Sequence, residues 1–481
     1  MEVVLVILQA CVVIGAIVLG VRVGGIGLGL WGVVGTAILV FVFRLPPGSP
    51  PVDAFFIIIA VITASSAMQA AGGIDFLVSI ASKIIQRNPR RLTYVAPLVA
   101  FVFTVLSGTS NIFFALIPVI YETAYRNGQR PERALAASTV TSGLGITASP
   151  VSAAMAAYLV LMEAKGFGLP QVLAITVPSA IVACIVTSFV QQRIGKELIA
   201  DPVFRKRVEA GTVEVPAALE ASFAAQASGG ARAAAGSGSG PDPSAKAARL
   251  KSAGAAPVEH TVPPGGRTAA WIFIVGTLLV VALGLFPALR PAFPDADGTL
   301  VPIGMSPVIE MVMFTVALVI ILVRKVKPSL VVEQPLLRSG YVAAVALFGI
   351  AWMADTFISA NQQTIIEPLG QLITAQPLLL AVALFLVAGL TTSQSATTNT
   401  LIPIALAAGL APGVITAMWP SLIGVWLFPA NGSQIAAVET DRTGSTRLTP
   451  VPIWHSFTIP MLVSWVSVVV SGLLIQLVIP S

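Results

Sequence analysis

Two short polar runs sit inside strongly apolar surroundings. One is Ser107-Gly108-Thr109-Ser110-Asn111, between LTYVAPLVAFVFTVL and IFFALIPVI; the other is Ser395-Ala396-Thr397-Thr398-Asn399-Thr400, within 378–409. Hydroxyls and amides donate to carboxylate oxygens and accept toward cations. Two further interruptions carry proline: Gly143-Leu-Gly145-Ile-Thr147-Ala-Ser149-Pro150-Val-Ser152 and Trp426-Leu-Phe428-Pro429-Ala-Asn431-Gly-Ser433. Proline removes a backbone donor and disrupts the helical ladder, so the chain is expected to unwind at Pro150 and Pro429. A half-helix that begins at such a break aims free N–H groups and a positive dipole end outward, which suits an anion. The candidate binding residues are therefore Ser107 to Asn111, Thr147, Ser149, Pro150, Ser152, Ser395, Thr397 to Thr400, Pro429, Asn431 and Ser433. Asp355, an acid within the apolar run GIAWMADTFISAN, is a candidate proton or ion relay, because an intramembrane carboxylate costs about 2.5–3.5 kcal/mol on insertion scales. No His/Cys/Asp cluster, phosphate loop or nucleophile–base pair is present. Enzyme chemistry has no candidate residues, and no cofactor or bound metal is expected.

The elements that position these residues follow from composition. Hydrophobic residues make up 56% of 481 positions and charged residues 10%, with a mean hydropathy of +0.91. A soluble protein carries roughly 25% charged residues, so most of this chain is dissolved in lipid. A crossing needs about 20 apolar residues. Spans are predicted at 3–21, 23–43, 52–71, 133–160, 171–192, 269–289, 305–323, 339–358, 413–438 and 453–479. Residues 74–87 read as an interfacial amphipathic helix with Ile74, Leu77, Ile80 and Ile84 on its apolar side. Two stretches, 92–121 and 378–409, are too long for one crossing and too short for two. Both are broken at their middle by the polar runs, and both read as re-entrant hairpins. Residues 193–268 begin charged and become Ala/Gly/Ser-rich, a composition expected to form a flexible linker between membrane halves 1–192 and 269–481.

Charge sets the orientation. Lys83, Arg87, Arg90 and Arg91 precede the first hairpin and Arg126, Arg130 and Arg133 follow it, so a full crossing there would break the positive-inside rule. With both stretches as hairpins, all but Arg44, Lys165 and Arg290 of the 27 Lys and Arg fall on one side. That side is the cytoplasm, which holds the linker and leaves both termini outside. Ser107 to Asn111 matches Ser395 to Asn399 at an offset of 288, and the same offset pairs Pro89 with Pro377. The first hairpin then opens inward and the second outward. The predicted fold is an all-α polytopic membrane protein of two inverted repeats, each with five transmembrane helices and one hairpin, the plan of a secondary transporter.

Several stretches in order, RVGGIGLGLWG at 22–32, SAMQAAGGIDFLV at 66–78, GTSN at 108–111, ITASPVSAA at 146–154, GIAWMADTF at 349–357 and DRTGSTR at 441–447, resemble the anaerobic C4-dicarboxylate transporter (Dcu) family. The paired tips are similar to the Ser-Asn-Thr tips of the wider ion transporter superfamily. The resemblance implies an inner-membrane carrier of fumarate, succinate, malate or aspartate, by exchange or by cation-coupled uptake with sodium or protons. It also implies a homodimer whose transport domains move as elevators. The stretch Asn431-Gly432-Ser433 is closer to the Pro-Pro-Asn break of sodium-coupled relatives, which leaves the coupling ion open. Two other readings are a sodium-coupled carrier of another organic anion and a dicarboxylate receptor that does not transport.

Overall fold

The computed structural model describes residues 2–23, 26–110, 112–223, 263–294, 298–361, 376–428, 431–449 and 453–479. Asn111, Pro429 and the Ala/Gly/Ser-rich part of the predicted linker lie outside them. The first half comprises α1 (Glu2–Val23), α2 (Gly27–Phe41), α3 (Val52–Ala70), α4 (Gly73–Arg87), α5 (Leu92–Ser107), α6 (Ile112–Arg126), α7 (Pro131–Thr147), α8 (Ala153–Glu163) and α9 (Leu169–Gln191), followed by α10 (Pro202–Glu209). After the gap come α11 (Gly266–Leu285), a two-stranded ribbon β1 (Ala292–Pro294) and β2 (Leu300–Pro302), α12 (Met305–Arg324), α13 (Pro328–Val332) and α14 (Pro335–Ala360). The chain ends with α15 (Leu378–Thr391), α16 (Gln394–Ala407), α17 (Pro412–Met418), a 3-10 segment Trp419–Trp426, α18 (Gly432–Thr440) and α19 (Thr458–Gln476).

Among the described residues, six helices are long and apolar enough to cross a membrane, or seven if α3 and α4, bent by 73°, count as one span. The spans at 133–160 and 413–438, each expected to carry an interruption, are divided into α7 with α8 and into α17, the 3-10 segment and α18. Large apolar side chains face outward on α1 (Val4, Ile7, Ile14), α11 (Trp271, Val275, Leu278) and α12 (Met311, Leu318, Leu322). A surface this apolar is stable only against lipid.

Glycine sets a close helix crossing. A Cβ on Gly32 would lie 2.4 Å from the carbonyl carbon of Gly349, and one on Gly349 would lie 1.9 Å from the Gly29 carbonyl oxygen. Helices α2 and α14 are therefore in backbone contact, as small residues permit in membranes. The α4 helix is amphipathic, but its buried face is Leu77, Val78, Ala81 and Ile85, while Ile84 is exposed. The inward face is thus rotated from the expected one, in a helix that packs against α3, α5, α6 and α11.

The two predicted hairpins are helix–reversal–helix units. In the first, α5 and α6 pack together and the chain comes back to its start: Gln129 Nε2, beyond α6, donates to the Pro89 carbonyl before α5 at 2.8 Å. In the second, α15 packs on α16 across Thr392–Ser393.

Part of the predicted linker is folded. Helix α10 is capped by Asp201, whose carboxylate accepts from the Val203 and Phe204 N–H groups, and Phe204 is fully buried. Arg130, 3% exposed, lies between Glu132 at 2.5 Å and Asp201. Burial would push the Asp201 carboxyl up, but the Phe204 N–H, the Arg130 charge and the Val203 N–H outweigh it and hold the group below its usual range. Arg207 of α10 donates to the Arg442 carbonyl at 2.7 Å, and Tyr125 of α6 donates to the Glu214 carbonyl at 2.5 Å. Residues 194–219 form a strap across the base of the first hairpin. Composition concealed it, because the contacts that order it come from 125–133 and 441–447.

Candidate functional site

A cavity of about 150 Å³ lies where the first hairpin's reversal, the α7–α8 break and the start of α16 meet. Ser107, Gly108, Thr109 and Ser110 form one side, with Ala153 and Ala154 at the start of α8 and Ser395 in the first turn of α16. The opposite side is mostly apolar: Val61 and Ile62 with Ser65 on α3, and Leu336 on α14.

Gly108 terminates α5 in the left-handed region, φ 70°, with its N–H donating to the Thr104 carbonyl. A Cβ there would stand 2.5 Å from the Val151 carbonyl oxygen. Only glycine satisfies both the backbone conformation and the close approach of the two breaks. Ser107 donates to the Thr109 carbonyl at 3.0 Å, which folds the tip back on itself.

The α7–α8 break is pinned by its own hydroxyls. Ser149 Oγ donates to the Val105 carbonyl at 2.7 Å, Ser152 Oγ to the Ile146 carbonyl at 2.7 Å, and Thr147 Oγ1 to the Leu144 carbonyl at 3.0 Å. Ser152 also caps α8 by accepting from the Met155 N–H. All three are buried, as is Pro150. Their hydroxyl protons are committed to backbone, so these side chains hold the break open. Ala153 and Ala154 at the start of α8, rather than Thr147, Ser149 or Ser152, line the cavity.

The second tip differs from its predicted form. The chain reverses at Thr392, φ 50°, and Ser393 caps α16 by accepting from the Ala396 N–H. Ser395 to Thr400 are therefore helical, and the left-handed Gly108 and Thr392 are not partners at the 288-residue offset. Thr397, Thr398 and Thr400 each donate to the carbonyl four residues earlier, and Thr398 also accepts from the Trp419 indole at 2.9 Å. Asn399, one turn beyond Ser395 on the same face, is 1% exposed, and neither its Oδ1 nor its Nδ2 has a partner. A buried polar group without a partner costs about 1–3 kcal/mol; Asn399 bears that cost one turn behind Ser395, and does not itself line the cavity.

Gln394 connects α16 to α7 by donating to the Gly143 carbonyl at 3.1 Å, and its Oε1 is left unpartnered. The Trp426 indole lies against Gly143 with its Nε1 also unpartnered. Asn431 caps α18, accepting from the Ser433 N–H at 3.2 Å and the Ser433 hydroxyl at 3.1 Å. Asn431 and Ser433 thus organise the second break locally. Gln394, Trp426 and Ser65 were not among the expected site residues; the signal for Ser65 was a Ser-Ser pair inside the apolar run IIIAVITASSAM.

Asp355 does not line the cavity. Its carboxylate accepts from the Ser49 N–H at 2.7 Å and from the Ser359 hydroxyl at 3.3 Å, tying the loop after α2 to the end of α14. His455 lies just before α19, accepting from the Phe457 N–H at Nδ1 (3.2 Å) and reaching the Leu427 carbonyl with Nε2 (3.2 Å). Burial pushes its imidazole below the usual range, partly offset by the Leu427 carbonyl.

No Lys, Arg, Asp, Glu or His is among the residues that line the cavity. Helix starts and hydroxyls supply its polarity, an arrangement that receives carboxylates without a fixed cation.

The same overall fold occurs in MtrF of Neisseria gonorrhoeae, described as one of a class of antimetabolite efflux pumps. The TM-score is 0.53 at 12% identity, covering 93% of this chain and 92% of that one. The molecule is a polytopic helical membrane protein. The model of the anaerobic C4-dicarboxylate membrane transporter family matches residues 5–479, and the chain belongs to that family. It is similar to the anaerobic C4-dicarboxylate transporter DcuB of Escherichia coli O6:H1, 34% identical over 461 residues and 95% of each chain. It is also similar to the C4-dicarboxylate transporter DcuA of Escherichia coli K12, 33% identical over 94% of this chain and 95% of that one. DcuA of Wolinella succinogenes is 32% identical over 454 residues, 94% of this chain and 95% of that one. Its relatives are transporters, and this chain is a multi-pass membrane transporter rather than an enzyme.

Proposed function

We propose that this chain carries C4-dicarboxylates, among them fumarate, succinate, malate and aspartate, across the bacterial inner membrane by alternating access. The observation that carries the reading is the cavity shared by Ser107 to Ser110, the start of α8 and Ser395. One carboxylate is held by the α8 N–H groups and the first tip. The other is held by the start of α16 and the amide of Asn399, each helix end contributing about 0.3–1 kcal/mol. The names of the relatives support the substrate class.

The two hairpins act as the inward and outward gates of inverted repeats, with both termini outside and 193–268 in the cytoplasm. The largely apolar wall from α3 and α14 favours an elevator-type slide of the hairpin side, in a homodimer, since such a wall has few polar contacts to break. Because no titratable group lines the cavity, exchange or sodium coupling is favoured over proton transfer through it.

The test is counterflow in proteoliposomes. Vesicles loaded with unlabelled succinate should accumulate labelled fumarate many-fold over empty ones, in sodium and in choline alike if the protein exchanges. Uptake into empty vesicles that needs sodium identifies a coupled carrier. Competition by a panel of unlabelled acids then separates C4-dicarboxylates from other organic anions. Fumarate binding without counterflow in any condition would overturn transport in favour of a receptor.

A further inference from the structure

A second cavity, of about 400 Å³, opens among the ends of α8, α9, α11 and α12, at the end of the bundle away from the strap. It is lined by Glu163, the last residue of α8, and by Arg290, beyond α11. The two do not pair: no nitrogen–oxygen distance between them is within 4.0 Å. Arg290 Nη1 donates to the Ile303 carbonyl at 2.9 Å, but its Nε is buried with no acceptor. The Glu163 carboxylate has no hydrogen-bond or ion-pair partner among the described residues.

Opposite charges near a protein surface attract by about 4 kcal/mol at 4 Å. Two that share one cavity without closing on each other fit a ligand that carries both charges and spans the gap. The first residues of α9 and α12, Leu169 and Met305, also line the cavity and place positive helix ends on its wall. Lys165, exposed two residues from Glu163, adds to the positive side.

We propose that this cavity is a second binding site, for a small zwitterionic amino acid. The ligand's carboxylate meets the Arg290 guanidinium and its ammonium meets Glu163. A dicarboxylate without an ammonium would set a carboxylate against Glu163 and is excluded. The site shares no residue with the central cavity and does not depend on the reading of that cavity.

Equilibrium binding of labelled L-aspartate and labelled succinate, which differ by one ammonium group, tests this on the full-length protein in lipid nanodiscs. The wild type should bind two aspartates and one succinate per chain. Arg290→Gln and Glu163→Gln should each weaken the second aspartate at least tenfold and leave succinate binding unchanged, which also reports that the variants are folded. Asn399→Leu should lose succinate and keep one aspartate; its failure bears on the central cavity alone. A wild type in which succinate displaces every bound aspartate would overturn the proposal. So would a second site that takes succinate as well as aspartate, or second-site affinity unaltered in both charge variants.

Discussion

Asn399 concentrates the argument at the scale of single residues. It is buried with two unpartnered polar atoms, so Asn399→Leu, which removes both, should leave the melting temperature in detergent equal or higher while succinate uptake falls at least a hundredfold. A large drop in melting temperature would instead make Asn399 a structural residue. Gly108 gives the opposite pairing of effects. Gly108→Ala forces φ 70° on a residue with a Cβ, about 1–2 kcal/mol, and drives that Cβ toward Val151. It should lower both stability and uptake. His455 predicts a pH dependence. Burial holds its imidazole below the ordinary value of 6.5 in the fold, so as pH falls the unfolded chain takes up a proton first. Stability is therefore full above pH 6.5 and declines as pH falls toward the depressed folded value. Melts at pH 7.5 and 5.5 should differ less for His455→Gln than for the wild type. The residue types at both tips were legible from sequence because hydroxyls and amides in an apolar run have few roles. That Ser149 and Ser152 face backbone was not legible, since it depends on Val105 and Ile146 arriving beside them.

The elements divide into those that local sequence dictates and those that neighbours dictate. The breaks at Pro150 and after Trp426 follow from proline and from caps, Ser152 and Asn431, that sit beside them in sequence. The position of the second reversal does not follow in that way. Ser395 to Asn399 resemble the first tip, yet Ser393 is the residue that caps, so the helix starts before them. The strap is the clearest case of order supplied from a distance. Removing Arg130 would leave Glu132 and Asp201 buried without their cation, and breaking such a pair costs about 3–5 kcal/mol. Arg130→Ala should thus destabilise strongly, while Asp201→Asn, which keeps hydrogen-bonding capacity, should cost less. Thermal melts of the two variants would separate an ion network from a simple contact; equal losses would argue against the network.

At the scale of the whole molecule, the hairpins make a topological prediction. Single cysteines at positions 88 and 128, in a chain whose Cys11 and Cys184 are replaced, should react with a membrane-impermeant reagent from the same side. Labelling from opposite sides would rule out a re-entrant first hairpin. Composition and spacing alone determined that the chain is helical, lipid-embedded and broken at four polar points, because a bilayer forbids unpaired backbone and leaves little choice of element. Charge distribution proposed the orientation for the same reason: cations do not cross lipid cheaply. Which polar groups face the cavity, which are consumed in holding it open, and which turn of α16 carries the orphaned amide were decided only in three dimensions. Those outcomes depend on hydrogen bonds between residues far apart in the chain, and a side chain's nearest acceptor is fixed by packing, not by its neighbours in sequence.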